Sequence, residues 1–186
     1  MPASQFFAPR YDPAVRTRLV ELEDAEALRA IYNAEVAEPS VTFELVPRSL
    51  EDQRHWIERH RGVHVALVAV HEDPAVGTPG AWNDPIVGFA SLSSFRDRPA
   101  YSTSVEDSVY VHRDARGRGV GRLLLAELVD AARDAGFHAV LGRIVGQNEA
   151  SIRLHESCGF EHVGVEREVG RKHGRWLDVV EMQRLL

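Results

Sequence analysis

The densest concentration of potential chemistry in this 186-residue chain is the run Arg116-Gly117-Arg118-Gly119-Val120-Gly121. A glycine-rich turn at a helix start leaves backbone N–H groups unpaired at the positive end of the helix dipole, which makes an anion site. Arg113, Arg116, Arg118 and Arg122 add guanidinium groups that suit phosphate oxygens. Two familiar phosphate patterns do not fit. No Gly-Lys-Ser/Thr follows the turn, and its glycines run G-x-G-x-G where dinucleotide folds need G-x-G-x-x-G. The expected ligand is therefore a phosphate-bearing molecule other than a nucleoside triphosphate or NAD.

Such a turn needs a strand to deliver it and a helix to receive it. Over 104–112, Val105, Asp107, Val109 and Val111 alternate with Glu106, Ser108 and Tyr110, which predicts a strand with two different faces. After the turn, Val120, Leu124, Leu128, Ala131, Ala132 and Ala135 stripe a long helix that Gly136 closes. Two further helices are predicted upstream. One runs from Glu23 through Ala25, Leu28, Ile31, Tyr32 and Val36, with acids in its first turn, and ends before Pro39. The other opens on a Ser49/Asp52 capping box and carries Leu50, Gln53, Ile57 and His60. Strands are expected over 16–20, 63–71, 86–92 and 138–145, and a hairpin from 161–169 with 175–182. Asn148 caps a short helix through Cys158, 41–47 reads as a loop, and 72–84 reads as a long hairpin loop rich in Pro and Gly.

Composition narrows the function. The 22 Lys+Arg and 28 Asp+Glu leave a formal charge of −6, so a broad basic surface for nucleic acid is not expected. Cys158 is the single cysteine, which excludes an intramolecular disulfide and a multi-cysteine metal site. The longest mostly apolar run, Val63–Val70, is far short of the roughly 18 residues of a membrane span. A cytoplasmic protein with no membrane partner and no metal is expected, organised as one domain over 16–186 behind an extension at 1–15.

The turn and several motifs around it resemble the GNAT superfamily of N-acetyltransferases. That superfamily's acetyl-CoA signature, R/Q-x-x-G-x-G/A, is met by Arg116, Gly119 and Gly121. Val105-Glu106-Asp107-Ser108-Val109-Tyr110-Val111, Asn148-x-x-Ser151-x-x-x-His155-x-x-x-Gly159-Phe160 and Lys172-His173-Gly174-x-Trp176-x-Asp178 are similar to its phosphinothricin and methionine sulfoximine acetyltransferase branch. Ile31-Tyr32-Asn33 and Thr42-Phe43-Glu44 match the same branch, so the resemblance spans about 16–183. It implies an α/β GNAT fold: a mixed, mostly antiparallel twisted sheet of about seven strands, flanked by about four helices and split into a V between central strands.

The resemblance also implies roles. Acetyl-CoA is the co-substrate, with Arg116, Gly117, Arg118, Gly119, Val120, Gly121 and Arg122 around its pyrophosphate. Backbone groups of Val109 and Val111 would pair with the pantetheine arm, and Asn148 and Ser151 would contact the cofactor from the far wall. Acyl transfer needs a neutral amine, whereas an α-amino group of pKa about 7.7–8.0 is mostly protonated at pH 7. Glu106, on a strand among apolar residues that raise a carboxyl pKa, is the expected general base. His173 and His155 are the other expected catalytic residues, His155 standing where many of the superfamily have a tyrosine that protonates the leaving thiolate. Phe43, Glu44, Arg98 and Tyr101 are the expected acceptor contacts, with Arg98 holding a carboxylate. The expected acceptor is thus the free α-amino group of a small amino acid analogue, and a homodimer is implied. The alternatives are the same chemistry on a peptide N-terminus, polyamine or aminoglycoside, or a non-catalytic acyl-CoA-binding module.

Overall fold

A computed structural model describes residues 11–73, 75, 78–79 and 85–186. The expected extension at 1–15 and the loop at 72–84 therefore lie largely outside the described residues. The strands are β1 (Val15–Leu19), β2 (Ala66–His71), β3 (Thr78–Pro79), β4 (Pro85–Ser94), β5 (Ser104–Val111), β6 (Ala139–Val145), β7 (Glu161–Lys172) and β8 (Arg175–Leu185). The helices are α1 (Ala25–Val36), α2 (Leu50–Arg59), α3 (Val120–Asp134) and α4 (Glu149–Ser157).

Seven strands run in the order β1-β2-β4-β5-β6-β8-β7, and the two-residue β3 pairs with β4. The pairing is antiparallel everywhere except between β5 and β6. This is the mixed, mostly antiparallel seven-strand sheet with four helices that the resemblance implies. The exception matters most, because β5 and β6 pair only from Ser104–Ala139 to Glu106–Leu141 and then part. Beyond that point β5 continues to Val111 and β6 to Val145, which opens a V at the sheet's centre.

The period-two pattern of β5 separates two cores. Val105, Val109 and Val111 pack with Val120, Leu124, Leu125 and Leu128 of α3 and Ile152 of α4. On the other face Tyr110 packs with Leu28, Ile31, Tyr32 and Ile57 of α1 and α2, against Phe89 of β4. Local signals explain the helix ends. Ser49 and Asp52 form the reciprocal capping box of α2, and Asn148 Oδ1 accepts the Ser151 N–H at 3.2 Å to start α4.

Two strand boundaries differ from expectation. β2 begins at Ala66 because Val63 is 56% exposed and has no core face to fill. The closing hairpin is longer than expected, since His173 (φ 48°) and Gly174 (φ 79°) both take the left-handed backbone that closes a two-residue turn directly onto Lys172 and Arg175. Within β7 a bulge at Glu168 is held by Asp178, whose Oδ1 accepts the Glu168 N–H at 2.8 Å.

Candidate active site

The split leaves one edge of β5 open. The His112 N–H donates to Val87 O on the β4 side at 2.8 Å, so by the two-residue alternation the N–H and C=O groups of Val109 and Val111 face the opening. Below that edge, α3 starts at Gly119, whose left-handed φ of 80° bends the chain into the helix and whose lack of a side chain provides no cap. The first N–H groups of α3 are thereby left for an anion. The turn is anchored from outside by the Asp12 N–H, which donates to Arg118 O at 3.0 Å.

A groove of about 330 Å³ joins these features; Val109, Val111, Arg116, Gly117, Gly119, Val120, Gly121 and Arg122 line it, with Asn148, Ser151 and Leu154 on the far wall. Arg118 does not line it. Arg116 does, but its guanidinium is engaged: it donates to the buried Glu35 of α1 and, through Nε, to Val111 O at 3.2 Å. Arg116 thus joins α1, the end of β5 and the turn while also lining the groove.

A second cavity, of about 210 Å³, adjoins the first through Val41, Val109, Tyr110, Asn148 and Ser151. Glu106, Arg143, Phe43 and Glu44 line it. Burial pushes the Glu106 carboxyl above the usual carboxylate range; the Arg143 guanidinium opposes this, and Asp107, Glu181 and Glu166 reinforce it. Arg143 is itself held by Glu166 and lies 3.6 Å from Glu181. Replacing Arg143 by Met removes the main influence favouring the ionised carboxyl. The Glu106 carboxyl should therefore titrate at higher pH in the variant, as carbon-13 NMR titration of both proteins would show.

His155 sits at the floor of this cavity, paired with Asp107. Its Nδ1 lies 2.7 Å from Ser151 O, an acceptor only, so Nδ1 carries a proton. Its Nε2 donates to Asp107 Oδ2 at 3.1 Å, and both side chains are nearly solvent-free. Burial alone would lower the histidine's pKa, but the hydrogen bond and charge of Asp107 and the Ser151 carbonyl raise it overall. With both ring nitrogens committed, this arrangement leaves His155 no N–H for a leaving group. The pair fits only because position 142 on β6 is glycine: a Cβ there would stand 2.7 Å from the His155 ring.

Three expected site residues lie elsewhere. His173 is exposed at the tip of the β7–β8 turn and lines neither cavity, and its backbone conformation accounts for its place there. Arg98 and Tyr101 line a separate depression with His64, Ser94 and Ser104 before β5, not the Glu106 cavity.

Residues 17–180 match the family model described as an acetyltransferase (GNAT) domain. The chain belongs to the GNAT acetyltransferase family. It is 42% identical over 164 residues to phosphinothricin N-acetyltransferase of Streptomyces coelicolor, covering 88% of this chain and 92% of that one. It is 34% identical over 166 residues to the L-methionine sulfoximine/L-methionine sulfone acetyltransferase of Salmonella typhimurium, covering 89% and 91%. The crystal structure of a GNAT phosphinothricin acetyltransferase from Sinorhizobium meliloti in complex with acetyl-CoA superposes with a TM-score of 0.84 at 34% identity, over 93% of this chain and 89% of that one. This GNAT chain is therefore an N-acetyltransferase similar to the phosphinothricin acetyltransferases.

Within this GNAT site several residues escaped the sequence reading. Glu35 sits on the apolar stripe of α1 between Ile31 and Val36, and Arg143 interrupts the apolar run of β6; each was a visible anomaly. Lys172 shares a motif with His173, yet it is Lys172 that is buried against the site.

Proposed function

We propose that this chain transfers the acetyl group of acetyl-CoA to the free α-amino group of a small amino acid analogue such as phosphinothricin, methionine sulfoximine or methionine sulfone. One observation carries the reading: the cavity holding Glu106 opens into the groove formed by the free edge of β5 and the start of α3. Thioester and amine can therefore meet at the split. The relatives' substrates and the acetyl-CoA complex of the Sinorhizobium protein support the same assignment.

In this reading the N–H groups at the start of α3 and the guanidinium of Arg122 take the pyrophosphate, and the open edge of β5 takes the pantetheine arm. Glu106, its carboxyl raised by burial, removes a proton from the amine. The nitrogen lone pair attacks the thioester carbonyl, a free N–H of β5 stabilises the oxyanion, and the C–S bond breaks. The departing thiol, with a pKa of about 8.5, is a fair leaving group. As the amide forms, the nitrogen sheds its second proton, which reaches the thiolate through water because both nitrogens of His155 are engaged. Arg143, the guanidinium in the Glu106 cavity, faces the acceptor's carboxylate.

The test is release of CoA thiol from acetyl-CoA with phosphinothricin, methionine sulfoximine, methionine sulfone, spermidine and a peptide amine offered separately. Turnover confined to the small carboxylate-bearing acceptors is expected. Turnover with spermidine or peptide alone would overturn the acceptor, and acetyl-CoA binding without any turnover would overturn the enzyme reading in favour of a binding module.

We assign the homodimer that the resemblance implies to the final hairpin. Val163, Val165 and Val169, on the twelve-residue strand β7 at the sheet's edge, and Trp176 on the adjoining β8 are each more than half exposed there. Val165→Lys should convert a dimeric mass to a monomeric one in light scattering, and a wild-type monomer would refute the assignment. No helix among the described residues is long and apolar enough to cross a membrane.

A further inference from the structure

The wall of the Glu106 cavity that carries Val41, Thr42, Phe43 and Glu44 is part of the connection between α1 and α2, which has no regular structure of its own. Its C-terminal end is tied to α1: the Arg48 N–H donates to Asn33 Oδ1 at 2.8 Å and the Asn33 amide donates to Arg48 O at 3.0 Å. Its middle is held from another part of the chain. Lys172, at the end of β7, is 1% exposed and its Nζ donates to Thr42 O at 2.8 Å, across 130 residues of sequence. Thr42 Oγ1 in turn accepts the Glu44 N–H at 3.2 Å and lies 3.4 Å from the Tyr32 hydroxyl. A second contact comes from the same hairpin. The Phe43 ring lies over Gly170 so closely that a Cβ built there would overlap it.

An ammonium is strongly hydrated, so burying it is unfavourable unless it makes compensating interactions. Burial does push the Lys172 amine down, opposed by Glu44 and Glu38. A methionine of similar length would fill the same space without that penalty, so the retained ammonium points to the hydrogen bond it makes. The hydrogen bond reaches the one carbonyl that sits between Val41 and Phe43, both of which line the cavity.

We propose that the β7–β8 hairpin determines acceptor specificity: Lys172 and Gly170 are positioning residues that hold the Thr42–Glu44 wall, with Lys172 fixing the backbone and Gly170 admitting the Phe43 ring. This rests on the reading of the Glu106 cavity as the acceptor site. Neither residue touches reacting atoms. Their effect falls on the shape of the wall, and so on acceptor binding rather than on the chemical step or on acetyl-CoA.

The experiment compares wild type with Lys172→Met, Lys172→Arg and Gly170→Ala by steady-state kinetics and by amide hydrogen exchange of the 41–46 segment without substrate. Lys172→Met should raise the acceptor KM about ten-fold while the acetyl-CoA KM stays within about two-fold, the loss expected for one hydrogen bond to a charged group. It should also speed exchange at 41–46, and Lys172→Arg should recover part of both. Gly170→Ala should displace Phe43 and shift preference toward acceptors with shorter side chains. Unchanged exchange in Lys172→Met would overturn the proposal whatever the activity. So would equal rises in both KM values, which mark a general loss of structure. A wild type that acetylates no amine, with exchange still raised in Lys172→Met, would overturn the acceptor reading and leave the hairpin's hold on the loop standing.

Discussion

Glu106→Gln lowers kcat/KM for the acceptor by about 10²–10⁴, the usual contribution of a positioned general base. The substitution keeps the side chain's size and its place on β5, so acetyl-CoA affinity and thermal stability should stay close to wild type. The argument is positional. Glu106 is the last residue of β5 paired to β6, so its carboxyl stands at the apex of the V where the open edge begins. It faces the α1/α2 side with Ser108 and Tyr110 while its neighbours Val105 and Asp107 face the other core. Burial raises the Glu106 pKa toward that of an amine, as the proposed base requires. In wild type the rate should rise with pH as Glu106 ionises, and that limb should vanish in Glu106→Gln. A variant that keeps both the limb and the rate would assign the base elsewhere.

The second large effect is on stability. Gly142→Ala places a methyl group 2.7 Å from the His155 ring carbon Cδ2 and 2.9 Å from Nε2, with Asp107 Oδ1 at 3.3 Å. Both side chains are buried, and Asp107 Oδ1 already lacks a hydrogen-bond partner among the described residues. The pair must separate. Breaking a buried ion pair costs about 3 kcal/mol or more, which for a chain of this size lowers Tm by about 6–12 °C. A melt within about 2 °C of wild type would show that the pair relaxes freely. Its pH dependence is a second readout. Because the fold raises the His155 pKa, the pair's contribution is complete below the ordinary histidine value and is lost as pH rises through the raised one. Asp107→Asn should therefore show its largest Tm deficit in mildly acidic solution, shrinking as the pH is raised.

The same pair shows what a motif conceals. His155 stands in the stretch that points to the family, and its spacing from Asn148 and Gly159 places it correctly on α4. Its proton inventory depends on Asp107 of β5 and the space at Gly142 of β6, which no local pattern encodes. Arg116 is a parallel case. Its place before the glycines is a local property, while its engagement by Glu35 depends on how α1 packs against the end of β5.

Local physics, acting within a few residues, was enough to determine the elements of this chain. The alternation of β5, the stripe of α3, the capping box at Ser49 and the Asn148 cap are short-range steric and hydrogen-bonding preferences, so they were legible in order and nearly at their true boundaries. The places of the glycine turn and of Glu106 were legible for the same reason, since strand, turn and helix start are contiguous in the chain. Only the tertiary structure decided which distant groups meet. It brought Lys172 to Thr42, Arg143 to the Glu106 cavity and Asp107 to His155, and it set Arg98 and Tyr101 in a different depression. Those outcomes follow from where β5 and β6 part and how the last hairpin lies on the α1–α2 connection. Both are consequences of packing between segments far apart in the chain, 48 residues for Asp107 with His155 and 130 for Lys172 with Thr42, which sequence spacing does not measure.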